Sequence, residues 1–212
     1  MLSRKARIAV FVSGGGTNLQ ALLDAQAAGK LPHGEISLVV SSSPNAYALE
    51  RAKKAGVPAV VCSRKQLGSQ DAFEAALSRA LAEHHIDLII LAGFMSILSA
   101  DFTARWPRRI LNVHPALIPS FCGKGMYGLR VHEAALAKGV KVTGATVHFV
   151  NEVCDGGPII LQRAVEIRQD DTPETLQRRV MEEAEWKILP EAVRLFCEDR
   201  IQVRGGRASI IE

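Results

Sequence analysis

The chain has 212 residues, 48% of them hydrophobic and 23% charged, with a formal net charge of +4. This composition is typical of a globular protein, and the length suits one domain. The longest apolar stretch, residues 88–95, is far shorter than the about 20 residues that a membrane helix needs. Lysines and arginines are scattered rather than clustered with aromatic residues, which argues against nucleic-acid binding.

The amino terminus and the cysteines indicate the compartment. The apolar run at residues 8–12 ends at glycines and is too short for a secretory signal. The cysteines show no CxxC pairing, so we expect reduced thiols in a cytoplasmic protein. Cys154 could be a nucleophile, but a buried structural cysteine is the commoner case.

The first half alternates short β-rich runs with helical segments. Strands are predicted at residues 8–12, 36–41, 59–62, 88–92 and 110–114, with helices at 18–28, 46–55, 70–84 and 100–105. Strands separated by helices predict a doubly wound, mostly parallel α/β sheet with helices on both faces.

The second half has a different texture. We expect a helix at residues 129–137 and antiparallel strands at 143–150 and 159–167. Thr172 before Pro173 predicts the start of a long helix, which Pro190 should kink or divide. Residues 201–203 and 208–211, joined through Gly205 and Gly206, could form a hairpin. We predict one domain over residues 1–212, with halves at 1–114 and 115–212.

Residues 13–18, here called the glycine loop, lie between the first predicted strand and helix. Backbone N–H groups and a helix N-terminus at such a place bind anions, so a phosphate monoester is the expected ligand. Leu19 replaces the third glycine of GxGxxG, and no GK[ST] follows. The alternative is a plain turn capped by Thr17.

Asn112, His114 and Asp155 form the most informative polar set. Side chains alternate along a strand, so Asn112 and His114 should share one face of the sheet. If Asp155 folds back onto that face, its carboxylate should pair with His114 and raise the histidine pKa. An amide donor and a proton carrier suit a reaction through a tetrahedral oxyanion. The alternative is that all three serve turns or packing.

The other histidines carry weaker signals. His148 could support this set, but a structural role is at least as plausible. His33, His84, His85 and His132 have no comparable context. No histidine–carboxylate spacing argues for a metal.

Four segments together resemble one known family, in order: SGGGTNL (13–19), LAGFM (91–95), NVHPALIP (112–119) and DGGPIILQ (155–162). They are similar to the phosphoribosylglycinamide formyltransferases, folate-dependent enzymes of purine synthesis, and the likeness runs from about residue 8 to about residue 198. It implies a formyltransferase-type, Rossmann-like fold, with a phosphate-binding first half and a folate-binding, catalytic second half.

The resemblance implies roles for the acceptor site. Gly16, Thr17 and Asn18 would hold the phosphate of glycinamide ribonucleotide, and Glu185 would reach the ribose hydroxyls with Glu182 close by. The alternative is that both glutamates are solvated, with Glu182 four residues after Arg178 for an ion pair.

The resemblance also implies a folate cleft between residues 95–98 and 151–155. The implied folate-binding residues are Gln70, Met95, Ser96, Ile97, Leu98, Asn112, Asn151, Glu152, Val153, Cys154 and Asp155. On composition alone, residues 94–98 are core. Relatives often have arginine where this chain has Ser96, and another near Gln70, so contacts to the folate tail should differ. The longer segment 121–128 is expected to be a lid with glycine hinges.

The implied reaction transfers a formyl group from 10-formyltetrahydrofolate to the amine of glycinamide ribonucleotide. Asn112 and protonated His114 would hold the oxyanion, Asp155 would keep His114 charged, and no metal is required. The expected partners are these small molecules, with a homodimer possible and neither nucleic acid nor membrane involved. Alternatives are a 10-formyltetrahydrofolate hydrolase, a tRNA formyltransferase, or a non-catalytic metabolite-binding protein.

Overall fold

The computed structural model describes residues 4–211, and a seven-stranded sheet forms its centre. The strands are β1 (Ala6–Val12), β2 (Gly34–Ser41), β3 (Ala59–Val61), β4 (Leu88–Leu91), β5 (Ile110–His114), β6 (Val142–Phe149) and β7 (Ile159–Glu166). Their order is β3-β2-β1-β4-β5-β6-β7. Strands β1 to β5 are parallel to one another, and β6 pairs antiparallel with both β5 and β7. The predicted doubly wound fold is confirmed.

Helices connect most of these strands. They are α1 (Thr17–Ala27), α2 (Ala48–Lys54), α3 (Arg64–Leu67), α4 (Gln70–Glu83), α5 (Ala100–Ala104), α6 (Leu129–Lys138), α7 (Pro173–Val180) and α8 (Trp186–Cys197). The short helix α3 was not predicted. Among residues 4–211, no helix is long and apolar enough to cross a membrane.

The central strands of the sheet are buried on both faces, as parallel sheets are. Alternate residues of β1 therefore enter two separate hydrophobic clusters. Ile8 and Val10 pack in the cluster that also contains residues of α1 and α8. Ala9 and Phe11 pack in the cluster that contains residues of α4. This explains why β1 is a continuous apolar run rather than an alternating one.

One row of paired residues crosses the sheet near the carboxyl ends of the parallel strands. Phe11 pairs with Leu91, Leu91 with Asn112, and Asn112 with His148. Neighbouring strands lie about 4.8 Å apart, so β1 and β5 are about 10 Å apart along this row. The segments that follow β1 and β4 therefore leave the sheet at one edge, where α/β sheets place their ligands, and the antiparallel strand β6 passes this edge in the opposite direction.

The long carboxyl-terminal helix is not a regular α-helix throughout. Thr172 caps α7 in a capping box with Thr175. Five π-helical residues, Met181–Glu185, then join α7 to α8. Pro190 lies inside α8 without ending it, so the expected interruption at Pro190 falls instead at Met181–Glu185. A π-helical turn of this kind is often found at functional sites.

A hairpin closes the chain. Strands β8 (Ile201–Arg204) and β9 (Arg207–Ile210) pair antiparallel. Both turn residues, Gly205 and Gly206, have positive φ, as a two-residue type I′ turn requires. The predicted hairpin is confirmed.

Candidate active site

The structure brings Asn112, His114 and Asp155 together. The Asn112 amide nitrogen lies 3.4 Å from one Asp155 oxygen, and His114 Nδ1 lies 3.7 Å from the other. Asn112 and His114 therefore point to the same face of the sheet, as the strand period predicts. The alternative that all three residues serve only turns or packing leaves this convergence unexplained.

The turn that carries Asp155 is fixed by its neighbours. Asp155 has a positive φ of 54°, and the Asn151 side chain accepts a hydrogen bond from Val153 N at 3.0 Å. A Cβ on Gly157 would lie 1.8 Å from the Phe149 carbonyl oxygen. Only glycine therefore allows the chain to turn this closely against β6 and to aim Asp155 at β5.

His114 is buried and is held in one tautomer. Its Nε2 lies 2.8 Å from the Phe121 carbonyl oxygen, which can only accept a hydrogen bond. Nε2 therefore carries the hydrogen, and Nδ1, which faces Asp155, is the basic nitrogen.

The pKa of His114 is lowered from its ordinary value, chiefly by burial, although the Asp155 charge opposes this change. The expectation that the pairing would raise the His114 pKa, and so keep His114 charged, is wrong, because the pKa is lowered overall. The contribution of Asp155 has the expected sign. His114 is thus a neutral base at neutral pH in the free protein.

Asp155 stays ionised despite its burial. Desolvation alone would raise the pKa of Asp155, but the nearby His148 imidazole and the hydrogen bond from the Gly123 backbone lower it to about 2. The Gly123 N–H donates to Asp155 at 2.8 Å. Asp155 is therefore a fixed negative charge beside His114 Nδ1.

His148 belongs to this set, although sequence reasoning left its role open. It pairs with Asn112 across β5 and β6, and its Nδ1 lies 2.8 Å from the Phe149 carbonyl oxygen. Its Nε2 can then accept one amide hydrogen of Asn112, at 3.1 Å. The contact of Asn112 with Asp155 is long, so the second amide hydrogen is available to a ligand.

Nothing in the sequence singled out His132, yet the structure places it in an unusual environment. It lies on α6, fully buried, and neither ring nitrogen has a hydrogen-bond partner among the described residues. Burial and the nearby charge of His114 lower the pKa of His132 to about 4. The sequence separation of His132 from His114 gave no signal, because their proximity depends on how α6 packs.

Part of the segment 121–128 covers the catalytic groups. Phe121 contacts His114 and Gly123 contacts Asp155 through backbone atoms. Phe121 has a positive φ of 49°, which is uncommon for a bulky residue. Gly125 and Gly128 also have positive φ. The lid movement expected for this segment stays a prediction.

The glycine loop makes a tight turn into the N-terminus of α1. Gly16, rather than Thr17, is the N-cap of α1, with φ 70°. A Cβ on Gly16 would lie 2.6 Å from the Ala48 side chain, so glycine is needed for both conformation and space. Thr17 is the first residue of α1, and its hydroxyl contacts the Met181 sulfur at 3.6 Å. Asn18 follows on the same turn.

Glu185 is brought to the glycine loop, and Glu182 is not. Glu185 is buried and accepts a hydrogen bond from the Asn18 amide at 2.6 Å. Burial raises the pKa of Glu185 to about 7, against the opposing effect of Asn18. Glu182 instead pairs with Arg178 at 2.8 Å on the exposed face, as the alternative interpretation stated.

The β4–α5 loop, residues 93–99, carries the first set of predicted folate residues. Met95 is 51% exposed and Ile97 is 73% exposed, so the alternative that this segment is simply core fails for both. Leu98 is partly buried against the cluster that contains Phe11, and Ser96 is half-buried. Gln70 contacts the Ile97 carbonyl oxygen at 3.1 Å.

The second set lies on the β6–β7 loop, residues 150–158. Glu152, Val153 and Cys154 are exposed, and Asn151 is half-buried. The expectation of a buried structural cysteine is wrong for Cys154. Burial and the Asp155 charge nevertheless raise the pKa of the Cys154 thiol, which disfavours the nucleophilic thiolate. The four cysteines, all within residues 4–211, are free thiols.

No group of three or more histidine, cysteine, aspartate or glutamate side chains is placed to hold a metal ion within the described part of the chain. The described residues do bring together a glycine loop at a helix N-terminus, a buried carboxylic acid, an exposed apolar loop and a histidine–carboxylate pair. This combination fits acyl transfer to a phosphorylated acceptor.

Comparison with known proteins agrees with this description. Residues 6–193 match the formyl transferase family, and the chain belongs to that family.

The more specific likeness is to phosphoribosylglycinamide formyltransferases. The protein of that name from Haemophilus influenzae is 40% identical over 202 residues, which cover 95% of this chain and 92% of the relative. The crystal structure of glycinamide ribonucleotide transformylase 1 from Symbiobacterium toebii is 44% identical, with a TM-score of 0.92, and the match covers 100% of this chain and 96% of that one.

Longer relatives contain the same unit. The trifunctional purine biosynthetic protein adenosine-3 of Gallus gallus is 45% identical over 203 residues, or 95% of this chain. The chain spans about a fifth of the length of that relative, since the match covers 19% of it. A formyltetrahydrofolate deformylase from Pseudomonas syringae also has the fold, with a TM-score of 0.89 at 26% identity, and the match covers 99% of this chain and 67% of that one.

Proposed function

We propose that this protein transfers the formyl group of 10-formyltetrahydrofolate to the amine of N1-(5-phosphoribosyl)glycinamide. The observation that carries the proposal is the meeting of Asn112, His114 and Asp155 on the same sheet edge as the glycine loop. A phosphorylated acceptor and a formyl donor can both reach this place.

The acceptor lies between the glycine loop and β5. Its phosphate is held by backbone N–H groups of Gly16, Thr17 and Asn18 at the start of α1, where the helix dipole favours an anion. Glu185, adjacent to Asn18, accepts hydrogen bonds from the ribose hydroxyls. The separation of about 10 Å between β1 and β5 is one that a ribose and a glycyl amide can bridge, which brings the amine to Asn112.

The donor lies between the β4–α5 and β6–β7 loops, which flank Asn112. Leu98 and Val150 pack against the same hydrophobic cluster, so the two loops lie on the same face of the sheet. Met95 and Ile97 supply exposed apolar surface to the folate ring, and backbone groups of residues 151–154 supply polar partners. Ser96 and Gln70 contribute no charge for the folate tail.

The chemistry uses His114 as a neutral base. The amine attacks the formyl carbon, and the new oxyanion accepts the free amide hydrogen of Asn112. The amine proton passes to His114, directly or through water, and Asp155 stabilises the resulting imidazolium. His114 then returns the proton to N10 of the folate as the carbon–nitrogen bond breaks. One bond forms, one breaks, and one proton moves from acceptor to leaving group.

The decisive experiment follows the ultraviolet change as 10-formyltetrahydrofolate loses its formyl group, with and without glycinamide ribonucleotide. Loss only when the acceptor is present supports the transferase. Equal loss without the acceptor contradicts the proposal and indicates a hydrolase, and no loss in either mixture indicates a binding protein. Asn112→Ala should slow the change about 100- to 1000-fold, whereas Asn45→Ala, the same change at an exposed asparagine, should leave it intact.

A further inference from the structure

The hydroxyl of Ser13 joins the glycine loop to the β4–α5 loop. Ser13 Oγ accepts a hydrogen bond from the Met95 backbone N–H at 2.8 Å. The same oxygen lies 2.6 Å from the Ser42 hydroxyl. A single side-chain atom therefore connects the segments that hold the two substrates in the proposed function.

The far end of the β4–α5 loop is fixed separately. Glu74, which is only 6% exposed, accepts hydrogen bonds from both the backbone N–H and the hydroxyl of Ser99 at 2.7 Å. Gln70 donates to the Ile97 carbonyl oxygen and to Glu74. This end rests on α4, so the bond from Met95 to Ser13 controls how the near end sits against the glycine loop.

The protons of the two hydroxyls can be arranged in two ways. A serine hydroxyl has one hydrogen to donate and two lone pairs. If Ser13 donates to Ser42, its hydrogen is already used. If Ser42 donates instead, Ser13 accepts from both Ser42 and Met95, and its own hydrogen is free for an oxygen of an anion in the glycine loop.

An anion favours the second arrangement and strengthens the bond to Met95. Hydrogen bonds to charged acceptors are stronger than neutral ones. A hydroxyl that donates to an anion also becomes a better acceptor, because hydrogen bonds in a chain polarise one another. A bound phosphate should therefore tighten the Met95–Ser13 bond and hold the β4–α5 loop in place.

We propose that Ser13 is a positioning residue that couples the two substrate sites. This inference rests on the function proposed above. Phosphoribosyl acceptor in the glycine loop raises the affinity of the folate cleft, and by reciprocity folate raises the affinity for the acceptor by the same factor. Since one hydrogen bond carries the effect, the factor should be about 2- to 10-fold.

Calorimetric titration tests the coupling directly. Tetrahydrofolate, which has no formyl group to transfer, is titrated into the protein alone and into protein saturated with glycinamide ribonucleotide. The unmodified protein should bind tetrahydrofolate about 2- to 10-fold more tightly with the acceptor present. In Ser13→Ala the two affinities should be equal, whereas a purely structural role would lower both affinities and leave their ratio unchanged.

Two further variants make the result unambiguous. Ser43→Ala is the matched control, because the Ser43 hydroxyl accepts a hydrogen bond from Asn45 N, and it should keep the full ratio. Ser13→Cys replaces the hydroxyl by a weak acceptor of similar shape, so tetrahydrofolate should bind this variant equally well with and without the acceptor. This variant tests the coupling if Ser13→Ala does not fold.

The possible failures are distinguishable. The coupling is refuted, and the proposed function stands, if the unmodified protein binds tetrahydrofolate equally well with and without the acceptor. The same holds if the Ser13 variants show the same ratio of the two affinities as the unmodified protein. If neither ligand binds the unmodified protein, the proposed function itself fails.

Discussion

Glu185→Gln should make the free protein more stable at alkaline pH. Glu185 is buried against the Asn18 amide, and Asn18 Oδ1 has no hydrogen-bond partner among the described residues. A neutral carboxylic acid at position 185 can donate to that oxygen, and so can a glutamine amide. A carboxylate cannot. The substitution therefore retains the neutral arrangement and removes the possibility of a buried charge.

The magnitude follows from the raised pKa. Burial raises the pKa of Glu185 from 4.5 to about 7, so between these values the folded state holds a proton that the unfolded state has lost. The free energy of unfolding therefore falls as pH rises through this window. Each unit of pKa shift corresponds to about 1.4 kcal/mol, which gives a loss of about 3 kcal/mol above both values. The variant avoids this loss.

Urea unfolding of both proteins at about pH 5 and about pH 8 measures the effect. The advantage of Glu185→Gln over the unmodified protein should grow by about 2 to 3 kcal/mol between the two pH values. Glu182→Gln is the matched control, because Glu182 is exposed and paired with Arg178, and its effect should change by less than about 1 kcal/mol. An advantage for Glu185→Gln that does not change with pH would refute the assignment of a buried, largely protonated acid.

Three other predictions follow from the site and its supporting turn. Asn112→Ala should lower kcat about 100- to 1000-fold and His114→Ala about 100- to 10,000-fold, measured on protein that circular dichroism shows to be folded. Near-normal turnover from either folded variant contradicts the assigned roles. Asp155→Asn should move the acidic limb of the kcat profile to lower pH, because the Asp155 charge raises the pKa of His114, and an unmoved limb would disprove the pairing. Gly157→Ala should destabilise the protein by about 3 kcal/mol or more in thermal unfolding, since its Cβ would lie 1.8 Å from a backbone carbonyl oxygen of β6; Gly14→Ala, with nothing within 4 Å of the added Cβ, should be far milder, and equal effects would contradict the packing argument.

The sequence predicted the fold because its signals are local. The apolar runs of β1, β2 and β4 and the helical segments between them are complete in the sequence, so the doubly wound sheet follows from their order. Gly205 and Gly206 likewise specify the closing hairpin. The shared face of Asn112 and His114 follows from the strand period alone.

What the sequence missed depends on packing between distant segments. The lowered pKa of His114 is a consequence of burial, which cannot be read from an Asn-Val-His tripeptide. Glu74 and Ser99 are far apart in the chain, and His132 becomes buried without a hydrogen-bond partner only when α6 packs against α7. The π-helical turn before α8 had no local signal that distinguished it from a kink at Pro190.

Transfer of a carbon-13 label tests the central claim most directly. The unmodified protein is mixed with 10-formyltetrahydrofolate labelled in the formyl carbon and an equal amount of glycinamide ribonucleotide, and the label is followed by nuclear magnetic resonance. The proposed reaction predicts that the label appears as a formyl amide on the acceptor, without free formate, and that His114→Ala slows its appearance about 100-fold or more. Label released as formate, or remaining on the folate, would contradict the account.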